Sequence, residues 1–275
     1  MKIPKTSFSG YGALLKESWR SLWQLPMTFL PAVYTYLGML VIGLGLTGVA
    51  RLAYGGLETV DIKTGSIVAF VALGIIVAFL FGTHVAAVYA SVFRRAARGK
   101  PITISEVFRD AAGLFRRSAG MVLAVIVASL PLLLLVGVTV GVMAVAATKP
   151  VLFVLVGFLA LVFLLVFFGY GAWLVFLLPL LAYTKLGAWR MLGQAWALLW
   201  RDNSHVWVTY LIHFGIGVGV GVALGGVSVA LSLLSSGEEP LWWTIISFLV
   251  NIVVAVWLLL FVFRSFIARY KPKVS

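Results

Sequence analysis

Three residues able to exchange protons or hydrogen bonds lie inside long apolar runs of this chain. His84 lies in FGTHVAAVY, His213 in LIHFG and Asn251 in LVNIVV. Such groups are costly inside a membrane and are functional suspects there. Two histidines at similar depth could relay a proton or bind a metal, but they are too few for an ordinary zinc site. We favour the simpler interpretation, in which each bonds a carbonyl or hydroxyl of a neighbouring helix.

Motifs of known catalytic chemistry are missing from the sequence. It contains no H-E-x-x-H, G-x-x-x-x-G-K-[ST] or G-x-S-x-G pattern, and all eight acidic residues lie outside the apolar runs. The lack of cysteine excludes disulfides, thiolate metal sites and a cysteine nucleophile. The sequence therefore predicts no catalytic residue, no cofactor and no bound metal.

The composition indicates a membrane protein. Of 275 residues, 63% are hydrophobic and 11% are charged, whereas soluble domains carry about 25% charged residues. The N-terminal 25 or so residues are charged and amphipathic, so we expect no cleaved signal peptide. Six runs reach the length of about 20 residues that a spanning helix needs. They cover about 27–50, 66–92, 119–147, 151–184, 205–234 and 241–264.

The basic residues divide unequally between the two sides of these spans. The short links within the three pairs of spans hold Arg51, Lys63 and Lys149, and the other side receives the remaining 18 of the 21 basic residues. This asymmetry predicts that both termini and the two longer connections lie in the cytoplasm.

The fourth run is longer than a membrane requires. Val151 to Thr184 is 34 residues, or about 50 Å of helix against an apolar core of about 30 Å. We expect one long helix bent near Pro179, with Gly169 and Gly171 as other candidate kinks. The alternative is a broken or re-entrant helix that lines a cavity, as in a transporter.

Three cytoplasmic segments have the helical period of an amphipathic helix. They are ALLKESWRSLWQ, the stretch from Ile104 to Arg117, and GAWRMLGQAWALLWRD. Thr103 and Glu106 have the spacing of a capping box at the start of the second segment. Tryptophan or phenylalanine at headgroup depth, with lysine or arginine on the wet side, predicts helices that lie in the membrane interface.

The same segments predict an internal repeat. Trp19-x-x-Leu22-Trp23 matches Trp196-x-x-Leu199-Trp200, and Ala111-x-x-Leu114-Phe115 is a weaker third copy. We infer one membrane domain over 1–275 with repeats at about 8–100, 101–185 and 186–275. Each repeat is an interfacial helix followed by a two-span hairpin, which predicts an all-α fold with pseudo-threefold symmetry.

A basic segment at 91–120 is the strongest charge feature. Its basic residues are Arg94, Arg95, Arg98, Lys100, Arg109, Arg116 and Arg117. Because they lie between apolar runs and not on a water-exposed domain, we expect no nucleic acid partner. Membrane topology together with contact to anionic headgroups accounts for all seven. A membrane or cytoplasmic protein that binds this segment is a further hypothesis.

The fifth span is rich in glycine. Gly215, Gly217, Gly219, Gly221 and Gly225 include pairs at the G-x-x-x-G spacing that lets helices approach closely. We expect these glycines to pack inside the bundle. A contact between copies of the chain or a substrate path is the alternative.

A tryptophan-containing segment before the first span, ESWRSLWQLP, and a second before the fifth resemble the YciC-like group of bacterial inner-membrane proteins. The resemblance covers the layout of the whole chain. It implies fold and location, and it transfers no functional residue.

The sequence favours a non-enzymatic accessory or scaffold protein of the inner membrane. Its basic cytoplasmic face would contact anionic lipid or a soluble partner. A small transporter or permease subunit is the alternative, and a membrane enzyme that acts on lipid is the third hypothesis. A transporter predicts a polar cavity near His84, His213 or Asn251, whereas a packed, dry bundle argues against one.

Overall fold

The computed structural model describes residues 8–54, 64–146, 153–234 and 240–271, and the regular structure in these ranges is entirely helical. The helices are α1 (Phe8–Gln24), α2 (Leu30–Tyr54), α3 (Thr64–Ala96), α4 (Ile104–Ala146), α5 (Phe153–Leu174), α6 (Leu177–Tyr183), α7 (Ala188–Arg201), α8 (Asn203–Leu234) and α9 (Leu241–Tyr270). A short 3₁₀ helix, Pro26–Phe29, joins α1 to α2.

Within the residues that the structure describes, six helical segments are long and apolar enough to cross a membrane, which confirms the number of spans predicted from the sequence. They are Pro26–Val49, Phe70–Ala96, Ile104–Val145, Phe153–Tyr183, Asn203–Leu234 and Leu241–Tyr270. Many of their leucine, valine and isoleucine side chains are exposed, as surfaces that face lipid must be. The chain therefore has the structure of a multi-pass membrane protein.

The fourth span is interrupted. Helix α5 ends at Leu174, Val175 and Phe176 form a turn, and α6 begins at Leu177. Pro179 has no backbone N–H to donate to the carbonyl of Val175, four residues before it, and its ring crowds that carbonyl. The break therefore falls one turn before Pro179, whereas Gly169 and Gly171 remain inside the continuous helix α5.

The three segments predicted as separate interfacial helices form in two different ways. Helix α1 ends before Pro26, and α7 is separated from α8 by Asp202. The stretch from Ile104 to Arg117 is instead the first third of the 43-residue helix α4. No proline or glycine separates Arg117 from the apolar run that follows, so the helix continues into that run without a break.

Three spans converge at one end of the bundle, where α3, α6 and α9 contact one another. Phe93, Tyr183 and Phe263 meet there, because the Phe263 ring centroid lies 5.7 Å from that of Phe93 and 6.1 Å from that of Tyr183. All three are buried. The core of the protein is thus concentrated at this end, which also carries α1, α7 and the start of α4.

Candidate functional site

The ion pairs that the structure shows all lie at the end where α3, α6 and α9 converge, here called the basic end. Arg94 reaches Asp110 at 2.7 Å, and Arg95 reaches Asp110 at 3.0 Å and Glu106 at 2.8 Å. Thr103 also donates a hydrogen bond to Glu106. These contacts fasten the end of α3 to the start of α4.

Arg117 also has an internal role. Its guanidinium donates to the backbone carbonyls of Thr184 and Leu186, the latter at 3.3 Å. Both carbonyls belong to the link between α6 and α7, where the helix end leaves acceptors without intrahelical partners. Arg98 lies over the Tyr183 ring, 4.7 Å from its centroid.

Three of the seven basic residues predicted to face lipid or a partner are exposed, namely Lys100, Arg109 and Arg116. Other exposed cations at the basic end are Lys16, Arg20, Lys185, Arg190, Arg201 and Lys271. The structure thus divides the basic residues into an internal set that holds helices together and an outer set open to the surroundings.

Exposed tryptophans accompany the outer cations. Three of them directly precede an exposed arginine in sequence, at Trp19-Arg20, Trp189-Arg190 and Trp200-Arg201. The exposed fraction is 40% for Trp19, 64% for Trp189 and 66% for Trp200. Tryptophan favours the membrane–water boundary, and arginine favours anionic headgroups.

Helices α1 and α7 are held against neighbouring spans in the same way. The indole N–H of Trp257 donates to the carbonyl of Leu15 at 3.0 Å, and that of Trp173 donates to the carbonyl of Leu192 at 3.1 Å. Leu15 lies four residues before Trp19, and Leu192 lies four residues before Trp196. Each of these tryptophans packs edge-to-face on the donor, Trp19 on Trp257 and Trp196 on Trp173.

A buried polar network joins α7, α8 and α9. Arg269 donates two hydrogen bonds to Asp202, each 2.6 Å long, and Tyr270 donates a third at 3.1 Å. Burial by itself raises the pKa of Asp202, but the hydrogen bonds and charge of Arg269, with smaller effects of His205 and Tyr270, outweigh it and leave the pKa below its usual value.

His205 continues this network toward α1. Its Nδ1 lies 2.5 Å from the Tyr11 hydroxyl, and its Nε2 lies 3.3 Å from the Ser265 hydroxyl. Ser265 in turn pairs with Thr209 at 2.8 Å. No motif in the sequence gives His205 a role. The partners come from helices far apart in the chain, so no local spacing reveals them.

Arg264 forms a second buried contact that sequence reasoning missed. It is 6% exposed, donates to the Ser21 hydroxyl at 2.6 Å and pairs with Glu17 at 2.7 Å. The contact fastens α1 to the end of α9. In the sequence, Arg264 stands at the end of an apolar run. Membrane topology alone accounts for a basic residue at that position, so nothing in the sequence indicated a buried contact.

The two intramembrane histidines occupy different surroundings. His84 packs among the rings of Tyr34, Phe108 and Phe115, at centroid distances of 5.5, 6.0 and 6.3 Å. His213 belongs to α8 and, together with Asn251, lines a cavity of about 440 Å³ between α2, α8 and α9. The structure therefore brings His213 to Asn251 and places His84 in an aromatic cluster.

The cavity has two incompletely bonded polar groups. The Nδ1 of His213 is buried, and no hydrogen-bond partner for it exists among the described residues. Asn251 donates from Nδ2 to the Ser247 carbonyl at 2.9 Å but is exposed. Tyr36 and Tyr89 also line the cavity, and the remaining lining is aliphatic, aromatic or glycine.

The glycines of α8 lie mostly on an open surface. A Cβ built on Gly217 would lie 3.9 Å from Leu258, which is ordinary contact, whereas Gly215, Gly219, Gly221 and Gly225 would meet nothing within 4 Å. The structure thus shows ordinary contact at Gly217 and open space at the other four glycines, and their close packing stays a prediction. The closest approaches over glycine occur elsewhere, at Gly38 against Phe81 and at Gly171 against Tyr210.

No group of three or more histidine, aspartate or glutamate side chains suited to a metal ion occurs in the part of the chain that the structure describes. Comparison with known proteins finds no matching family model, no matching curated protein and no matching solved structure.

Proposed function

We propose that this protein is a membrane accessory or scaffold protein whose basic end contacts anionic lipid headgroups. The observation that carries the proposal is the set of exposed Trp-Arg pairs at Trp19, Trp189 and Trp200. An exposed indole beside a cation fits the headgroup region, where ring and charge are each stabilised. A soluble partner is the alternative occupant of the same surface.

The layout of the basic end supports this proposal, because its outer cations are separate from those that stabilise the fold. Arg95, Arg117 and Arg269 have internal acceptors. Lys100, Arg109 and Arg116 are exposed, and no ion pair of theirs appears among the residues described. A positive surface attracts anionic lipid by about 1 kcal/mol for each such cation. We propose that this end faces the cytoplasm, as the charge asymmetry predicts, and that the membrane is a bacterial inner membrane, as the resemblance implies.

A pseudo-threefold repeat of interfacial helix and hairpin is part of the proposal. Two features support it: the meeting of Phe93, Tyr183 and Phe263, one from the end of each repeat, and the matching indole hydrogen bonds on α1 and α7. In this arrangement α1, α7 and the start of α4 are equivalent interfacial braces. Membership of the YciC-like group stays a prediction.

Lipid analysis of the purified protein tests the proposal. The full chain is extracted from its membranes in mild detergent, and the bound phospholipids are compared with those of the bulk membrane. We expect enrichment of phosphatidylglycerol or cardiolipin, and loss of that enrichment when Arg20, Arg190 and Arg201 are replaced by glutamine. Bound lipid of bulk composition, or a stoichiometric protein partner in its place, contradicts the proposal.

A second function, that of a small transporter or permease subunit, is favoured by the cavity that His213 and Asn251 line. Intramembrane polar groups on a cavity are a feature of transport paths. Accessibility of a cysteine placed at Ala255 tests it, since the chain has no other cysteine. Labelling by a water-soluble thiol reagent supports a path, and labelling only by a membrane-soluble reagent contradicts it.

A further inference from the structure

We infer that the cavity between α2, α8 and α9 binds an uncharged, membrane-dissolved amphiphile through a hydroxyl or carbonyl oxygen. This inference does not depend on the lipid-headgroup function, and it requires binding without translocation. It therefore stands or falls separately from the headgroup function, and it is an alternative to the transport function proposed for the same cavity.

The size and position of the cavity fit a ligand that comes from the bilayer. Its volume of about 440 Å³ lies within the range of about 300–1,000 Å³ typical of small-molecule sites. Tyr36 and Asn251 are exposed in segments that are long and apolar enough to span a membrane, so the cavity lies at the depth of the bilayer. On this side α2 meets α9 through the ring contact of Tyr36 with Phe248, 4.6 Å between centroids.

The lining selects against a charged ligand. No lysine, arginine, aspartate or glutamate lines the cavity, and a charge placed there would have no partner in a medium of low polarity. Most of the wall is aliphatic or aromatic, as at Phe214, Ile252 and Leu259. An apolar chain or ring therefore gains contact over most of its surface.

Two polar groups point to an oxygen-bearing ligand. His213 borders the cavity with its Nδ1 buried and without a partner among the described residues, so a ligand oxygen reaches that nitrogen once the ring turns toward the cavity. Asn251 uses one N–H on Ser247 and keeps a second N–H and its carbonyl oxygen. In lipid, where no water can bond these groups, a ligand hydroxyl or carbonyl would relieve the cost of leaving them unpaired.

Diacylglycerol and a quinone share this chemistry, and the experiment separates them. The full-length protein in phosphatidylcholine nanodiscs is titrated with dioleoylglycerol in one arm and with a short-chain ubiquinone in the other. Binding is followed by native mass spectrometry, with oleate as the charged counterpart. We expect saturable binding in one or both neutral arms and none with oleate.

Variants locate the binding. His213→Phe and Asn251→Leu should each weaken binding about fivefold to tenfold, the effect of one lost hydrogen bond. Gly217→Leu should abolish binding by filling the cavity, since a Cβ there meets only ordinary contact. Thr139→Val, which removes a spanning-helix hydroxyl from another surface, is the control and should bind like the unmodified chain. Thermal unfolding confirms that each variant is folded.

Three outcomes overturn the inference. The first is non-saturable or absent binding of both neutral probes, and the second is unchanged affinity in folded His213→Phe, Asn251→Leu and Gly217→Leu. The third is efficient disulfide cross-linking between copies that carry Val218→Cys, because a second copy of the chain would then occupy the opening.

Discussion

Arg269 binds both carboxylate oxygens of Asp202, from Nε to Oδ2 and from Nη2 to Oδ1, each at 2.6 Å. The side chains are 9% and 5% exposed, so the pair is withdrawn from solvent. It joins the end of α9 to the junction of α7 and α8. The pair therefore fixes the position of α7, which presents the exposed tryptophans Trp189 and Trp200.

Asp202→Asn should destabilise the protein by about 3 kcal/mol, because it leaves the buried Arg269 charge without its carboxylate. Thermal or denaturant unfolding in detergent measures the effect. Glu106→Gln is the control, since its pair with Arg95 is more exposed and should contribute at most about 1 kcal/mol. Equal losses in the two variants would contradict a special role for Asp202.

The stability that Asp202 contributes should depend on pH. Because its folded-state pKa lies below the usual value, the contribution is fully present above the unfolded pKa of about 3.9 and is lost as the pH falls through the folded pKa. The difference in unfolding temperature between the unmodified chain and Asp202→Asn should thus be constant near neutral pH and shrink below about pH 4. A difference that persists unchanged to pH 2 would argue against the carboxylate as its source.

Arg116 and Arg117 should respond in opposite ways to substitution. Arg117→Ala leaves the carbonyls of Thr184 and Leu186 without their donor, so it should lower the free energy of unfolding by about 1–3 kcal/mol. Arg116→Ala removes an exposed side chain and should stay within about 0.5 kcal/mol of the unmodified protein. Stability measurements on these two adjacent arginines test whether the basic residues are correctly assigned to the internal set and the outer set. A larger loss at Arg116 would reverse the assignment.

Two neighbouring glycines offer a matched packing test. A Cβ on Gly171 would lie 2.5 Å from the Tyr210 hydroxyl oxygen and 2.7 Å from its ring, whereas a Cβ on Gly169 would meet nothing within 4 Å. Gly171→Ala should therefore destabilise by about 1–3 kcal/mol through overpacking, and Gly169→Ala should be neutral or slightly stabilising because alanine favours helix. Unfolding curves that show no difference between the two variants would mean that α5 and α8 are not as close as the structure places them.

The spans were predictable because length and apolarity alone determine them, and six runs of the sequence became the six spans of the structure. The end of α1 was predictable from Pro26, a local signal. The continuity of α4 was not, since nothing in the sequence distinguishes a short helix that stops at Arg117 from one that continues. We expected one long helix bent near Pro179, but the structure divides this span into α5 and α6, and the carbonyl of Val175 places the division one turn before the proline.

The functional side chains were harder to predict because their partners are distant in sequence. From the sequence we interpreted Arg94, Arg95 and Arg117 as lipid-facing charges. In the structure the acceptor of Arg94 and Arg95 lies on α4, and those of Arg117 lie on the link between α6 and α7. His213 and Asn251 were named for their polarity within apolar runs. That they share a cavity depends on how α8 and α9 pack, which no periodicity shows.

Lipid selectivity is the most direct test of the proposed headgroup contact. Spin-labelled phosphatidylglycerol and phosphatidylcholine are compared in membranes that contain the full-length protein, and the motionally restricted fraction of each gives their relative association. We expect phosphatidylglycerol to be favoured severalfold at low salt, and less so at 1 M salt, where the screening length falls to about 3 Å. Replacing Lys100, Arg109 and Arg116 by glutamine should reduce that preference without lowering the unfolding temperature. Equal association of the two lipids with the unmodified protein, or a preference that survives the triple substitution, would contradict the account.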